Sequence, residues 1–474
     1  MQAPRLPQSQ QERLEQLEKE NRQLQQQVEQ GRFKNKRLKK RIERLEQHLE
    51  KARRAIHRQA APFSKGEPKA APKTPGRKAG SDYGEPSFRP VPQRIDQVLP
   101  VPLSRRCPCG GTVQVDRIEA QYQEDIVRQT VVRRFDIEVG HCQCCGARAQ
   151  GRHRLQTSDA LGAAKVQVGP EALVLGAQLN KQMRLSLGHT ARVLQSGYGL
   201  EVSRGGIYKA LARLAGKAEP TYQGLLVTAR KSLVNWVDET GWRVGGHSQW
   251  LWVAESERVT VYSILPGRGS KQLKQLLGAD YDGWLVHDGL RCYSLLDKAI
   301  HQTCLTHLIR RCKEMAERAT RAAAQFPMQV KDLLQQALLL GDRYQCQEVT
   351  PHGLAVATGR LESVMDRLLD KTYHTAGNKR LAKHLRHQRE YLFTFLHCPG
   401  LEGTNCRAER AIRPAVIARK VWGGNRTWNG ANVQQILMSV LRTFHQQGKD
   451  AFASLVELLR LPGHKVLEIV PTLA

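Results

Sequence analysis

From Leu14 the apolar positions keep a seven-residue period without a break. Leu14, Asn21, Val28, Asn35, Ile42 and Leu49 fall at a, and Leu17, Leu24, Gly31, Leu38 and Leu45 at d. Such a seam predicts a coiled coil over residues 10–58. Asn at two a positions favours a parallel dimer, because a buried amide is satisfied only when it faces its twin; a lone polar helix is the plainer alternative. Gly31 weakens the middle of the seam, where Arg32, Lys34, Lys36, Arg37, Lys39, Lys40 and Arg41 crowd together, either to meet phosphates or as a solvated face. Residues 60–102 hold nine prolines among Gly, Ser, Lys and Arg. That composition can neither form a core nor continue a helix, and it predicts a flexible basic linker.

Beyond a cysteine-rich module at 103–155, the period becomes helical over 160–228. Leu185 to Leu214 reads as two short helices around Ser196-Gly197-Tyr198-Gly199, with Ser203 capping the second. This suits a DNA-reading helix-turn-helix, or any pair of packed core helices. The pattern then turns strand-like at Leu233 to Val237, Trp250 to Ala254 and Val259 to Leu265, with Gly245-Gly246 and a charged Glu255 to Arg258 stretch as turns. A helix from Ser270 to Leu277, a strand from Trp284 to His287, a helix from Tyr293 and a short strand near Gln302 to Leu305 follow. The order is βββαβαβα. Nearly everything from His307 to His397 is helical by pattern, and Val433 to Phe444 and Ala451 to Leu459 close the chain as amphipathic helices.

Charge narrows the function. Among 474 residues, 74 are Lys or Arg and 44 Asp or Glu, a formal charge of +30, which points to a polyanionic partner, nucleic acid first. No apolar run approaches the roughly 20 residues of a spanning helix, and Met1 to Gln16 has no apolar signal core. Eleven cysteines without an export signal suit reduced thiols or metal ligands better than a disulfide framework. The expected location is the cytoplasm, at the nucleoid.

Phosphoryl transfer on DNA needs an activated oxygen nucleophile and a stabilised leaving oxygen, and two Mg²⁺ or Mn²⁺ ions held by carboxylates supply both. Three strands, a helix, a fourth strand and more helix is the order of the ribonuclease-H-like fold, which carries acids on the first strand, after the fourth and on a late helix. Asp238, Asp288 and Glu409 occupy those places. Asp238 is expected to end the first strand, with Glu239 turned to the opposite face by alternation. Asp288 follows the apolar strand Trp284-Leu285-Val286-His287 at its carboxyl end, where ligands of open α/β sheets gather; Asp280 and Asp282 lie at the other end. Glu409 comes four residues after a candidate cap, Asn405, among Arg407, Arg410, Arg413, Arg419, Lys420 and Arg426, bases suited to DNA phosphate. Pro414 is expected to end or kink this helix after Arg413.

These stretches resemble the insertion sequence 66 family of bacterial transposases. The resemblance rests on Val237-Asp238-Glu239-Thr240-Gly241-Trp242, His287-Asp288, Cys304-Leu305-Thr306-His307-Leu308-Ile309-Arg310, and Thr404-Asn405-Cys406-Arg407-Ala408-Glu409-Arg410-Ala411-Ile412-Arg413-Pro414, and it covers almost the whole chain. Cys406 departs from it, standing where the family usually has a second Asn. The resemblance implies a ribonuclease-H-like core over 230–430 with a helical insertion at about 311–400, then carboxy-terminal helices at 431–474. It implies Asp238, Asp288 and Glu409 as catalytic acids, metal-dependent cleavage at element ends, transfer of the 3′ hydroxyl to target DNA, and accessory transposition proteins as possible partners. A DNA-binding regulator without chemistry, or a nuclease that cuts without joining, are the competing readings.

Cys142-x-x-Cys145-Gly146 has the spacing of a zinc knuckle, with Cys107 and Cys109 as its expected partners and Cys144 a competing ligand. The family it resembles carries a zinc-finger-like module here. His301, Cys304 and His307 stand three apart, a metal-ligand spacing if all lay on one helix. A strand-to-helix junction is expected instead, which would keep them apart. Cys304 and His307 match a Cys-x-x-His motif of the family; His307 would then contact DNA and Arg310 and Arg311 hold the backbone, while a core thiol is an equal reading of Cys304.

Overall fold

The computed structural model describes residues 91–471 apart from 103, 105, 107, 124–129, 157–167, 320, 399 and 464, together with isolated positions between 21 and 46. The chain divides into two compact units, 1–124 and 125–474. The expected coiled coil and most of the linker lie outside the described residues; the described positions among them, such as Val28, Leu38 and Ile42, are helical and exposed. In the first unit, the described residues of 91–123 form no helix or strand beyond a bridge between Arg106 and Thr112.

The second unit opens on a small hairpin of β1 (Val139–His141) and β2 (Arg148–Gln150). Three helices follow: α1 (Pro170–Ala177), α2 (Leu187–Tyr198) and α3 (Arg204–Lys231). Gly199, in the left-handed region at φ 67°, ends α2, and the Ser203 hydroxyl caps α3 by accepting the Gly206 N–H at 3.0 Å. The second helix of this pair is not short, as the turn signals suggested, but runs 28 residues. Its apolar spacing continues unbroken through Ile207, Leu211, Leu214, Ala218, Tyr222, Leu225 and Ala229, all buried, so packing carries the helix past the point where propensity alone would let it end.

The central sheet has the order β5-β4-β3-β6-β7. β3 (Val234–Val244), β4 (His247–Glu255) and β5 (Thr260–Leu265) are antiparallel, while β6 (Trp284–His287) and β7 (Ile300–Thr303) add in parallel beside β3. β6, paired on both sides, is the continuous apolar run that such a position demands. β3 does not stop at Asp238. It continues to Val244 because β4 pairs with it down to Val244 and His247, across a tight Gly245-Gly246 turn with φ 57° and 83° of the kind hairpins favour. The helix expected from Tyr293 is a single 3-10 turn, Tyr293–Leu295, because the Tyr293 ring is buried beside Trp252 and His287. α4 (Ser270–Leu277) joins β5 to β6.

After β7 come α5 (Leu305–Glu317), α6 (Arg321–Gln345), α7 (Pro351–Asp370), α8 (Ala376–Gln388), the single turn α9 (Thr394–His397), α10 (Cys406–Trp422), α11 (Trp428–Gln446) and α12 (Ala451–Arg460). Two apolar cores sandwich the sheet. On one face Val237, Trp252 and Leu285 pack with α3, α4, α11 and α12; on the other Trp236, Trp242, Val253 and Val286 pack with α5 to α8 and α10. The result is a three-layer α/β/α unit around a mixed sheet.

An edge strand leaves every second N–H unpaired and open to wrong partners. Here α11 covers β5 and answers those groups one by one. Gln435 Oε1 accepts the Ile264 N–H at 2.9 Å, Ser439 Oγ the Tyr262 N–H at 2.9 Å, and Thr443 Oγ1 the Thr260 N–H at 3.2 Å. The match is geometric: four helical residues rise about 6 Å and two strand residues about 6.8 Å, so an i, i+4, i+8 row tracks alternate strand positions. Ser439→Ala leaves the buried Tyr262 N–H without an acceptor, and a loss of about 1–3 kcal/mol is expected in the denaturation midpoint, with Ser439→Thr losing less.

Candidate active site

Asp238 and Asp288 meet because of strand register. Trp236 pairs with Val286 across the parallel β3–β6 ladder, and each acid lies two residues further on, so the two reach the same height, Asp238 within β3 and Asp288 just after β6. Asp238 therefore sits just beyond the end of β6 although β3 itself runs on. The register required for this is secured by the burial of Trp236 and Val286 in one core; a slip of one residue would turn one strand's buried side chains to the other face and put the two acids out of step.

Glu409 arrives from α10. Ala408, Ala411, Ala415 and Ala418 are all buried, a stripe of minimal side chains that lets the helix lie close on β3 and β4. Asn405, expected as a cap, precedes the helix but does not cap it with its side chain. Its amide reaches sideways and donates to the Val237 carbonyl at 2.8 Å, tying the start of α10 to the residue before Asp238. Leu305 N–H donates to the Gly403 carbonyl at 3.0 Å, so α5 and α10 begin side by side. Pro414 neither ends nor breaks α10, which continues to Trp422. The Tyr262 hydroxyl donates to the Ala411 carbonyl at 2.6 Å, next to the Arg410 carbonyl that loses its donor to the proline, and the apolar contacts of the helix outweigh the missing bond.

Electrostatics records the convergence. Burial first, then the charges of Glu239, Asp288 and Glu409, push the Asp238 carboxyl up to about 8. Each neighbouring negative charge adds to the cost of ionising Asp238. Glu409 Oε1 is buried with no hydrogen-bond partner among the described residues. Oxygen-only and partly unsatisfied, the three acids have the donor chemistry that a hard divalent ion such as Mg²⁺ takes.

Glu239 faces away from Asp238, as alternation requires, into a satisfied network. It accepts the Arg268 Nε–H at 2.6 Å and the Tyr293 hydroxyl. Arg268 lies over the Trp250 ring at 4.8 Å and reaches within 3.8 Å of Asp288 Oδ2. Behind Asp288, the Gly289 N–H donates to His287 Nδ1 at 3.0 Å, His287 Nε2 lies 3.2 Å from His301 Nδ1, and His301 Nε2 lies 2.9 Å from the Leu296 carbonyl. Only one proton arrangement satisfies this chain: each ring carries its proton on Nε2. Burial pushes both histidines below their usual range and keeps them neutral. Neither Arg268 nor this histidine pair stood out in the sequence; His301 carried a signal only as a possible metal ligand, and a lone Arg after a strand carries none.

The structure separates the His301, Cys304 and His307 trio differently from expectation. His301 is spent on His287, but Cys304, at the start of α5, and His307, in its first turn, do come together, and Glu409 joins them. The strand-to-helix junction keeps only the first of the three apart. Of the basic residues, Arg310, Arg410, Arg413 and Lys420 are exposed and Arg311 is half-buried. Arg407 pairs with Glu402 at 2.7 Å over the Trp236 ring, and Arg419 donates to Thr240 Oγ1 at 3.0 Å and to the Gly241 carbonyl. Those two guanidinium groups fasten α10 to the sheet.

In the β1–β2 turn, Gly146 N–H donates to the Cys142 carbonyl at 2.9 Å, with Gly146 at φ 68°. The N–H groups of Cys145 and Cys144 draw the Cys142 thiol down from its ordinary range, as in a turn built for a thiolate. Cys107 lies outside the described residues, and Cys109 belongs to the first unit.

The family model described as Transposase IS66 family matches residues 165–433, a span that holds the sheet and all three acids. No curated protein matches the chain. Among the described residues, no helix is long and apolar enough to cross a membrane.

The raised Asp238 carboxyl sets a pH dependence. With a folded value of about 8 against about 3.9 unfolded, the metal-free folded chain binds the extra proton between those limits. Stability from this group therefore falls as pH rises through the window, and a bound cation restores it. Mg²⁺ is expected to raise the melting temperature more above pH 8 than near about pH 6. Equal shifts at both would remove Asp238 from the binding set.

Proposed function

Because the chain belongs to the IS66 family of transposases, we propose that it cuts the ends of its mobile element and joins the freed 3′ hydroxyls to target DNA, with Asp238, Asp288 and Glu409 as the catalytic acids. The observation that carries this reading is the strand register that sets Asp238 and Asp288 at one height, with the start of the Glu409 helix bonded to the residue before Asp238. Two Mg²⁺ or Mn²⁺ ions held there would activate the attacking oxygen and stabilise the leaving one. The ribonuclease-H-like reading of the unit is supported by the sheet, three antiparallel strands continued by two parallel ones, with the acids on its first strand, after its fourth and on a late helix.

In this reading Asp238 gives up its proton as the cation arrives, and the Asn405 bond to Val237 keeps Glu409 in reach of the strand acids. The His287–His301 pair fixes the Gly289 N–H and with it the backbone that carries Asp288. Arg310, Arg410, Arg413 and Lys420, all exposed on the two helices that begin beside the site, hold DNA phosphates, with Arg311 and His307 nearby. α2 and α3 are read as a helix-turn-helix-like grip on element ends, the Cys142–Cys145 turn as a structural zinc-binding turn, and the amino-terminal heptads as the pairing element.

Purified protein with labelled element ends, target DNA and Mg²⁺ or Mn²⁺, with accessory proteins supplied, tests the reaction. Asp288→Asn and Glu409→Gln are each expected to lower cleavage and joining by at least the ~10²–10³-fold that losing one charge-stabilising group costs, with end binding retained in a mobility-shift assay. Wild-type cutting by either variant would remove the acid from its role. Cut ends without joined products in the wild type would make the enzyme a nuclease.

A further inference from the structure

Cys304, His307 and Glu409 each present one ligand atom, all within 4.8 Å of one another. Sulfur, imidazole nitrogen and a carboxylate oxygen are the donors of a borderline ion such as Zn²⁺, and a poor set for Mg²⁺, which takes oxygen. The spacing agrees. His307 Nδ1 lies 3.5 Å from Glu409 Oε1, and two donors bound at 2.0–2.2 Å around a tetrahedral ion stand about 3.3–3.6 Å apart. Both atoms are buried, and neither has a hydrogen-bond partner among the described residues. Two facing polar atoms, each shielded from solvent and without a hydrogen-bond partner, leave room for something that bonds to both.

The three groups are also held in place before any ion arrives. Cys304 and His307 are separated by three residues at the start of α5, a spacing that puts both on one side of the first turn. Cys304 Sγ accepts the Asn405 N–H at 3.2 Å, the kind of N–H···S contact that supports a metal-bound thiolate. Glu409 sits in the first turn of α10, whose start is tied to α5 and β3 through Gly403 and Asn405. His301, which sequence spacing would have added to the set, is engaged with His287 and the Leu296 carbonyl.

The geometry points to a Zn²⁺-class site formed by Cys304, His307 and Glu409, with a water in the fourth position, whose occupation withdraws Glu409 from the magnesium set and so reversibly inhibits DNA cleavage. On binding, the Cys304 thiol passes its proton to solvent; no electron is transferred. The inhibitory consequence rests on the proposed role of Glu409, but the binding site itself does not.

Two measurements separate the claims. Co²⁺ titrated into the full chain reports coordination through its sulfur-to-metal charge-transfer band and tetrahedral visible bands. The cysteines of the β1–β2 turn also contribute, so the readout is the difference between wild type and variants. Cys304→Ser is expected to remove part of the charge-transfer intensity and one bound ion per chain, and His307→Gln to weaken the same ion by more than the ~10–100-fold that losing a hydrogen-bond partner behind a ligand costs. Thermal melts confirm that both variants fold. Unchanged Co²⁺ spectra and stoichiometry in both overturn the site, whether or not the protein cuts DNA. In the cleavage assay with excess Mg²⁺, Zn²⁺ is expected to inhibit wild type and to inhibit Cys304→Ser much less. Equal inhibition of the two overturns the regulatory part. If the wild type does not cut at all, the proposed function fails while the Co²⁺ spectra still decide the site.

Discussion

The Asp238 carboxylate is buried beside other negative charges, and the backbone around it is arranged so that it cannot move away. The rise of the Asp238 carboxyl to about 8 is the signature of that burial: the folded chain keeps a proton there because burial and its neighbours' charges disfavour ionisation. The proton relieves the repulsion without moving the side chains. What prevents movement is backbone. Asp238 is locked within an eleven-residue strand, Asp288 leaves a strand paired on both sides, and the start of α10 is bonded to both β3 and the start of α5. A site assembled from loops could relax away from its own charge; this one has few ways to do so.

The second layer of support works through groups that carry no net charge or are already neutralised. Glu239 sits next to Asp238 in sequence and adds to its repulsion, yet Arg268 and Tyr293 satisfy it on the opposite face. The two buried histidines behind Asp288 are neutral, so they fix the backbone without adding a positive charge that would compete with a metal. Gly424 contributes at a distance. Its φ is 129°, and a Cβ there would stand 2.3 Å from the Arg243 carbonyl. Only glycine lets the chain leave α10 close enough for Asn425 N–H to donate to that same carbonyl at 2.8 Å and for Trp242 Nε1 to donate to Asn425 Oδ1 at 2.8 Å. α10 is thus attached to β3 at both ends, beside Asp238 through Asn405 and at the end of the strand through Asn425.

What could be read from the sequence was local or periodic. The apolar runs of β4, β5 and β6 and the long helical stretch after His307 all announce themselves, and once the strand order is known Asp238 and Asp288 fall at matching heights. The failures share one cause: each depended on a partner distant in sequence. β3 outlasts its polar residues because β4 holds it, Pro414 is tolerated because Tyr262 and the alanine stripe stabilise its helix, and the turn at Tyr293 stays short because its ring is buried elsewhere. Asn405 had the right residue type for a cap, but its nearest acceptor proved to be 168 positions away. Cys304 and His307 were expected to be kept apart by the same junction that in fact places them at one helix start, beside an acid that no local pattern could supply.

The types of acid follow from the elements that bear them. Strand positions place Cα directly at the rim of the site, so the short, stiff aspartate suffices and loses little rotamer freedom when ordered. α10 lies a layer away from the sheet, and the longer glutamate spans that gap even with alanines drawing the helix close. Length brings conformational freedom, and glutamate is the member of the trio that more than one arrangement can recruit. Its Oε1 has His307 at 3.5 Å and Cys304 within the same cluster, while its charge also reaches Asp238. If both proposed sets of ligands form, they draw on the same carboxylate, and whichever ion takes it denies it to the other.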